Sequence, residues 1–284
     1  MGEANGEPAI RRILVALDAS HHSLAALEAA AELAASLEAE LQGLFVEDIN
    51  LLRAAGSPVA REVQYPSATA VRLDLARMER ALRAQATQAR RAIAACCRQR
   101  RVKWSFRVVR GEVAPEVLAA TTEADLLSLG KASRPLTGRT IRVHLGSTAR
   151  AAATQAPRPV LLLQRNVGIG APVVVTYDGS PTSQQALMIA ARLAQKHGGY
   201  LSTLILADTP EDLARLKDEI SSLLHGRRLV LRYRRLADAG ASTLTRELRF
   251  EGSGVLVLSS TIMQPDAVYA LLDEVECPVL LVRS

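Results

Sequence analysis

The chain has 284 residues, 49% of them hydrophobic, 3% aromatic and 23% charged, with a formal net charge of +6 at pH 7. That length provides for two compact domains, each with its own core, and the lack of any run of eighteen apolar residues argues against a membrane-spanning helix. Three cysteines, of which Cys96 and Cys97 are adjacent, exclude a disulfide framework and point to a reducing, cytoplasmic setting, while so few aromatic residues leave little for stacking bases, so nucleic acid is an unlikely partner.

Residues 1–10 are polar, carry acids and lack an apolar centre, and are expected to be a flexible N-terminus rather than a secretory signal. Ile13–Leu17 then reads as a short buried strand, closed by the turn residues Asp18-Ala19-Ser20. The Ala- and Leu-rich segment Leu24–Leu37 predicts a helix, and Leu41–Val46 a second strand. Residues 47–67, punctuated by Gly56, Pro58 and Pro66, read as an irregular excursion. Ala68–Arg100 has helical composition throughout and is rich in arginine; with the run Arg227–Arg235 it holds much of the basic charge, read as a solvated face. Val102–Val109 is a third strand, Ala114–Thr122 a helix and Asp125–Leu129 a fourth strand. A loop opens at Gly130, a helix starts near Gly146, and Pro159–Leu163 is a fifth strand.

The same text then returns. Residues 173–194, VVVTYDGSPTSQQALMIAARLA, repeat residues 13–34, ILVALDASHHSLAALEAAAELA, at a constant offset of 160. Pro159-Val160-Leu161-Leu162 likewise returns as Pro278-Val279-Leu280-Leu281. Strands are expected near Val173–Tyr177, Tyr200–Leu206, Leu229–Arg235, Val255–Leu258 and Val279–Val282. The alternation predicts two α/β domains of the doubly wound, flavodoxin-like/HUP type, each with a five-stranded parallel sheet: 11–165 and 171–284, with 166–170 as linker. Both closing strands are strongly apolar, and we expect them to pack edge to edge as an intrachain pseudo-dimer.

In such sheets ligands sit beyond the carboxyl ends of the strands, which selects Asp18, Val46, Gly111, Gly130 and their counterparts. Asp18 is read either as an acceptor for ribose or adenine hydrogens or as the turn residue before the next helix. Gly130 permits close approach of backbone, and Gly146-Ser147-Thr148 opens a helix whose free N–H groups suit an anion. Lys131, Arg134, Arg139 and Arg142 supply cations to the loop between them. No spacing of His or Cys suits a metal, and no nucleophile elbow or Walker motif is present.

The opening ILVALDAS with its Ala-rich helix, the strand ending LFVED and the closing LGSTARAAATQAPRPVLLL resemble the universal stress protein family, in tandem form. Nucleotide-binding members carry G-x2-G-x9-G-[S/T]. The resemblance implies that Asp18 holds the adenosine, that Val46 meets the adenine through its backbone, and that Gly130, Ser133, Gly146, Ser147 and Thr148 surround the phosphates of ATP or a related nucleotide. Ser133 stands where the second glycine belongs, and twelve residues separate it from Gly146. In the second copy Ser259 replaces Gly130 and Pro265-Asp266 replaces Gly146-Ser147, so that copy is expected to have lost its phosphate site. The expectation is a non-enzymatic stress-response regulator that binds nucleotide in the first copy only and is read by partner proteins. The alternatives are a scaffold acting through its surface, the arginine-rich helix above all, and a slow ATPase or self-phosphorylating protein.

Overall fold

A computed structural model describes residues 10–18, 20–64, 69–72, 74–131, 145–164, 168–236, 238–252 and 254–283. In the N-terminal half the elements run β1 (Arg12–Ala16), α1 (His21–Leu37), β2 (Glu40–Asp48), α2 (Ile49–Gly56), β3 (Arg61–Gln64), β4 (Thr69–Arg72), α3 (Leu75–Arg100), β5 (Trp104–Gly111), α4 (Val113–Thr121), β6 (Leu126–Gly130), α5 (Ser147–Gln155) and β7 (Val160–Leu163). The C-terminal half has β8 (Val173–Tyr177), α6 (Pro181–Lys196), β9 (Tyr200–Leu206), α7 (Pro210–Leu223), β10 (Val230–Leu236), α8 (Ala241–Glu251), β11 (Val255–Ser259), α9 (Pro265–Glu274) and β12 (Val279–Val282).

The central strands are apolar runs because both of their faces are covered. All five residues of β8 and of β11 are buried, as are all four of β7 and of β12. On one face lie α1, α3, α6 and α7, seated through residues such as Ala30, Ala34, Ile93, Ala190 and Ile220. On the other lie α4, α5, α8 and α9, seated through Val117, Ala152, Leu244 and Leu271. The small residues of α1 and α5 let their axes approach the sheet closely. Among the described residues no helix is long and apolar enough to cross a membrane.

Ten strands form one sheet in the order β10-β9-β8-β11-β12-β7-β6-β1-β2-β5. Within each group of five every pairing is parallel, which agrees with the α/β fold read from the sequence. The groups join through β7 and β12, which are antiparallel, with Leu280 opposite Leu161. Reading outward from that joint gives the same strand sequence in both directions, so the halves are related by a pseudo-twofold axis. The antiparallel joint therefore sets the carboxyl ends of one group beside the amino ends of the other.

The reading of residues 47–100 needs correction. The excursion contains α2, whose cap Asp48 accepts from the N–H of Asn50 at 2.9 Å, and the strand β3. The helix begins at Leu75 rather than Ala68, with Asp74 as its cap, because Thr69–Arg72 pairs antiparallel with Arg61–Gln64 in a separate two-stranded ribbon. Pairing overrides helical composition in so short a stretch. In the C-terminal half the single helix α7 spans the place of α2, the ribbon and α3.

Candidate functional site

Asp18 follows β1, and its position is built by local hydrogen bonds. Its carboxylate accepts from the N–H of Ser20 at 2.9 Å, and its own N–H donates to Ser23 Oγ at 3.4 Å. Ser20 caps α1 by accepting from the N–H of Ser23, whose hydroxyl returns a bond to the Ser20 carbonyl. Asp178, Ser180 and Ser183 repeat these four bonds in the C-terminal half. The turn role of the aspartate is thus common to both halves, and any ligand role must come from what surrounds it. Asp18 is exposed, and one turn bond leaves most of the acceptor capacity of a carboxylate unused.

What surrounds Asp18 is a cleft of about 90 Å³ at the carboxyl ends of the strands. Ala16, Leu17 and Leu129 contribute from strand ends, Leu44 from the middle of β2 opposite Ala16, Val113 and Val117 from α4, and Val46, Gly130, Thr148 and Ala149 complete the lining with Ser20 and Ser23. The N–H of Leu17 donates to the Leu44 carbonyl at 2.8 Å, the last rung on that side of β2. By strand alternation Val46 is the next residue facing that side, one step past the end of β1, so its backbone groups are directed at the cleft. Gly130 is required for packing: a Cβ there would lie 2.8–2.9 Å from the backbone and Cβ of His22 in the first turn of α1. Helix α5 begins at Ser147 with Gly146 as its cap and without a side-chain cap bond, which leaves its first amides available to an anion.

Asp18, Val46, Gly130 and Thr148 therefore come together. Gly146 and Ser147 start the same helix but lie outside the lining, and Ser147 is exposed. Ser133 falls outside the described residues, as do Arg134, Gly138, Arg139 and Arg142. Gly111 is not part of the cleft, and a Cβ on it would run into the Glu116 side chain. Sequence reading missed the apolar walls Leu44, in the middle of β2, and Val113 and Val117, on α4, which carry no local signal of a cleft.

Lys131 requires a correction. Expected among the cations of the loop, it is 1% exposed and points away from the cleft into the joint between the halves. Its ammonium donates to the carbonyls of Val275 at 2.7 Å and Cys277 at 3.4 Å. Burial lowers its pKa to about 8, against the opposing pull of Cys277, Asp273 and Glu276. Cys96 and Cys97 are buried, and burial raises both thiols, Cys97 to about 11, which favours the reading of inert core residues over a redox sensor.

The corresponding corner of the C-terminal half is filled by its own chain. Thr261 Oγ1 lies 3.1 Å from Ser180 Oγ and 2.7 Å from Ser259 Oγ, a chain of hydroxyls from the turn after β8 to the end of β11. Ile262 and Met263 are buried in the apolar cluster beneath. The C-caps Ala156 and Val275 put Pro265 in register with Gly146, but α9 starts one residue earlier, so Pro265 is its first helical residue and Gln264 its cap. A larger cavity, about 440 Å³, lies between α8 and the turn after α9, lined by Thr245, Arg249, Glu274, Glu276 and Cys277 among others. It sits at the amino ends of the C-terminal strands and draws on no strand-end residue, so the smaller cleft is the candidate site.

Comparison with known proteins follows the same lines. The chain is 28% identical over 219 residues to a universal stress protein of Mycobacterium tuberculosis (strain ATCC 25618 / H37Rv), an alignment spanning 75% of this chain and 71% of that one. Its fold matches a universal stress protein of Archaeoglobus fulgidus DSM 4304 with a TM-score of 0.73 at 14% identity, over 98% of this chain and 99% of the other. It also matches a putative universal stress protein of Pseudomonas aeruginosa UCBPP-PA14 with a TM-score of 0.60 at 15% identity, over 98% and 95%. At such identities the two structures speak for the fold alone. A model of the universal stress protein family matches residues 9–164, more than half of the chain, and the chain belongs to that family.

Proposed function

We propose that the chain binds an adenine nucleotide, ATP or a close relative, in the cleft of its N-terminal half only, and acts by binding, without turnover, as a cytoplasmic regulator whose occupancy partner proteins read. The carrying observation is the convergence of four different chemistries on one cleft. Asp18 supplies a carboxylate, Val46 the β1-facing side of the β2 backbone beyond the last β1 pair, Gly130 a strand end without a side chain and α5 an uncapped amide end. A carboxylate and a strand edge suit the hydrogens of a nucleoside, and a helix N-terminus suits its phosphates. At about 90 Å³ the described cleft is well below the ~300–1,000 Å³ of complete small-molecule sites, so it accounts for one end of such a ligand.

Calorimetric titration of the full chain with ATP tests this reading. One site per chain is expected. Two equivalent sites, or no heat at all, would refute it.

One observation favours a second reading, a scaffold working through its surface. Residues 75–103 hold eight arginines and one lysine against the single acid Glu79, a surplus of eight, so the rest of the chain carries a net −2. Arg77, Arg80, Arg91 and Arg98 are exposed on the side of α3 opposite its buried stripe of Leu82, Ala86, Ala89 and Ile93. Such a ridge suits an acidic partner. Binding that survives in a chain unable to take up ATP, and fails when those four arginines become glutamine, would select this reading over the first.

A further inference from the structure

The pseudo-twofold joint places the turn after α9 directly against the rim of the N-terminal cleft, and the hydrogen bonds that cross there are unequal on its two sides. At the cleft side, Lys131 Nζ donates to the Val275 and Cys277 carbonyls at 2.7 and 3.4 Å. The N–H of Leu145 donates to the Asp273 carboxylate at 2.9 Å. Within the N-terminal half, the N–H of Gly146 donates to the Lys131 carbonyl at 2.7 Å and ties these two points together. The strand end Gly130-Lys131 and the helix start Leu145–Thr148 are the two rims of the cleft, and each is fastened to the C-terminal half.

If these bonds only glued the halves together, the pseudo-twofold axis would repeat them. It does not. Lys131 corresponds to Ser260, since their N–H groups donate to the equivalent carbonyls of Leu163 (2.7 Å) and Val282 (2.9 Å). A serine is too short to span the joint as the lysine does. Asp273 corresponds to Thr154, whose hydroxyl turns back to its own helix, 3.2 and 3.3 Å from the carbonyls of Arg150 and Ala151. Gly146 corresponds to Pro265, which has no N–H to close the stem. One crossing bond does recur on both sides, from the residue after each closing strand: Gln164 Nε2 donates to the Val275 carbonyl at 3.4 Å and Arg283 to the Ala153 carbonyl at 2.9 Å, so the asymmetry lies in the Lys131 and Leu145 bonds.

We propose that Asp273 and the Val275–Cys277 turn are positioning groups for the N-terminal cleft, so that ligand affinity in one half is set by residues of the other. This rests on the nucleotide reading of the cleft. Rims held before the ligand arrives need not be ordered when it binds, and that saving appears as affinity. The bonds are charge-assisted at both points, from the Lys131 ammonium and to the Asp273 carboxylate, which makes them stronger than neutral ones.

Four full-length chains test it: wild type, Asp273→Ala, Asp273→Asn and, at the opposite corner, Thr154→Ala. ATP affinity is measured by calorimetry, and amide hydrogen exchange is followed at Leu145 and Gly146. Asp273→Ala is expected to speed exchange at these amides and weaken ATP binding by about tenfold or more. Asp273→Asn, which keeps an acceptor oxygen, restores both most of the way, and Thr154→Ala changes neither. Unchanged exchange in Asp273→Ala would overturn the contact. Faster exchange with affinity equal to wild type would overturn its role at the site. A wild type that takes up no ATP would instead bring down the nucleotide reading, and this assignment with it.

Discussion

The two halves of this chain share strand order, register and even the four hydrogen bonds of the turn after the first strand, yet among the described residues they differ in what lies beside that turn. In the N-terminal half Asp18 looks across a gap to Gly130. In the C-terminal half the same gap is bridged by Ser180, Thr261 and Ser259, and the next residues, Ile262 and Met263, are buried in the apolar cluster. The comparison teaches that the aspartate-serine turn belongs to the fold and the cleft does not. The shared turn comes with the strand and helix that form it, while Thr261 after the fourth strand of the C-terminal half closes the space beside it.

The sharpest way to break the comparison is at the joint that both halves share. Leu280 is 1% exposed and pairs with Leu161 across the antiparallel seam. Leu280→Asp buries an unpaired carboxylate there and is expected to cost several kcal/mol, read as a large fall in the urea midpoint. A midpoint within experimental error of wild type would show that the seam does not hold the halves.

Next in size is the pH dependence of Lys131, whose counterpart Ser260 does not titrate. Its folded pKa of about 8 lies below the ordinary 10.5, so the unfolded chain holds the proton more tightly between those values. Stability from this group should therefore rise as pH climbs from about 8 toward 10.5, and be lost as pH falls through 8. The full swing is on the order of 3 kcal/mol. Cys97, raised from 9.0 to about 11, works the other way over its own window, with stability falling as pH rises. Comparing wild type with Lys131→Met cancels that contribution, and the difference between the two denaturation curves should grow with pH. A flat difference from pH 7.5 to 10 would mean that the lysine is not buried in solution. Asp273, Glu276 and Cys277 are the groups that face it.

A reciprocal swap comes third. Gly130→Ser forces a Cβ to within 2.8–2.9 Å of the His22 backbone and is expected to cost about 1–3 kcal/mol. Ser259→Gly at the equivalent position loses only the bond to Thr261 and some backbone restriction, about 1 kcal/mol each. Equal losses would remove close packing as the reason for the glycine.

The smallest effects on stability carry the most information about function. Asp18→Ala and Asp178→Ala each remove the same turn bond and should each cost about 1 kcal/mol. Only Asp18→Ala should weaken ATP binding, and Gly146→Asp, which sets a negative charge at the start of α5, should abolish it. Equal affinity in all three variants would move the ligand elsewhere.

Much of the fold could be read before the structure, because buried parallel strands are short apolar runs and their helices repeat small residues at helical spacing. Val173–Tyr177, Tyr200–Leu206 and Val279–Val282 agree with the structure residue for residue. Thr69–Arg72 was misread because a ribbon is a pairing between segments, which composition does not report. Of the residues around the cleft, Asp18, Val46 and Gly130 follow from the rule that ligands meet strand ends, which also selects Gly111 outside it, and Thr148 from its place at the start of a helix; topology, not local chemistry, brings them together. Lys131 shows the limit. Beside Gly130 it read as one of the cations supplied to the loop, yet it is buried against two carbonyls some 145 residues away in the chain. What the amino-acid sequence determined by itself was everything periodic or local: the repeat, the strands, the helix faces and the capped turns. What only the tertiary structure decided was which way each rim residue faces and which half supports the other. Those follow from the antiparallel meeting of β7 and β12, a contact between distant segments that no local propensity encodes.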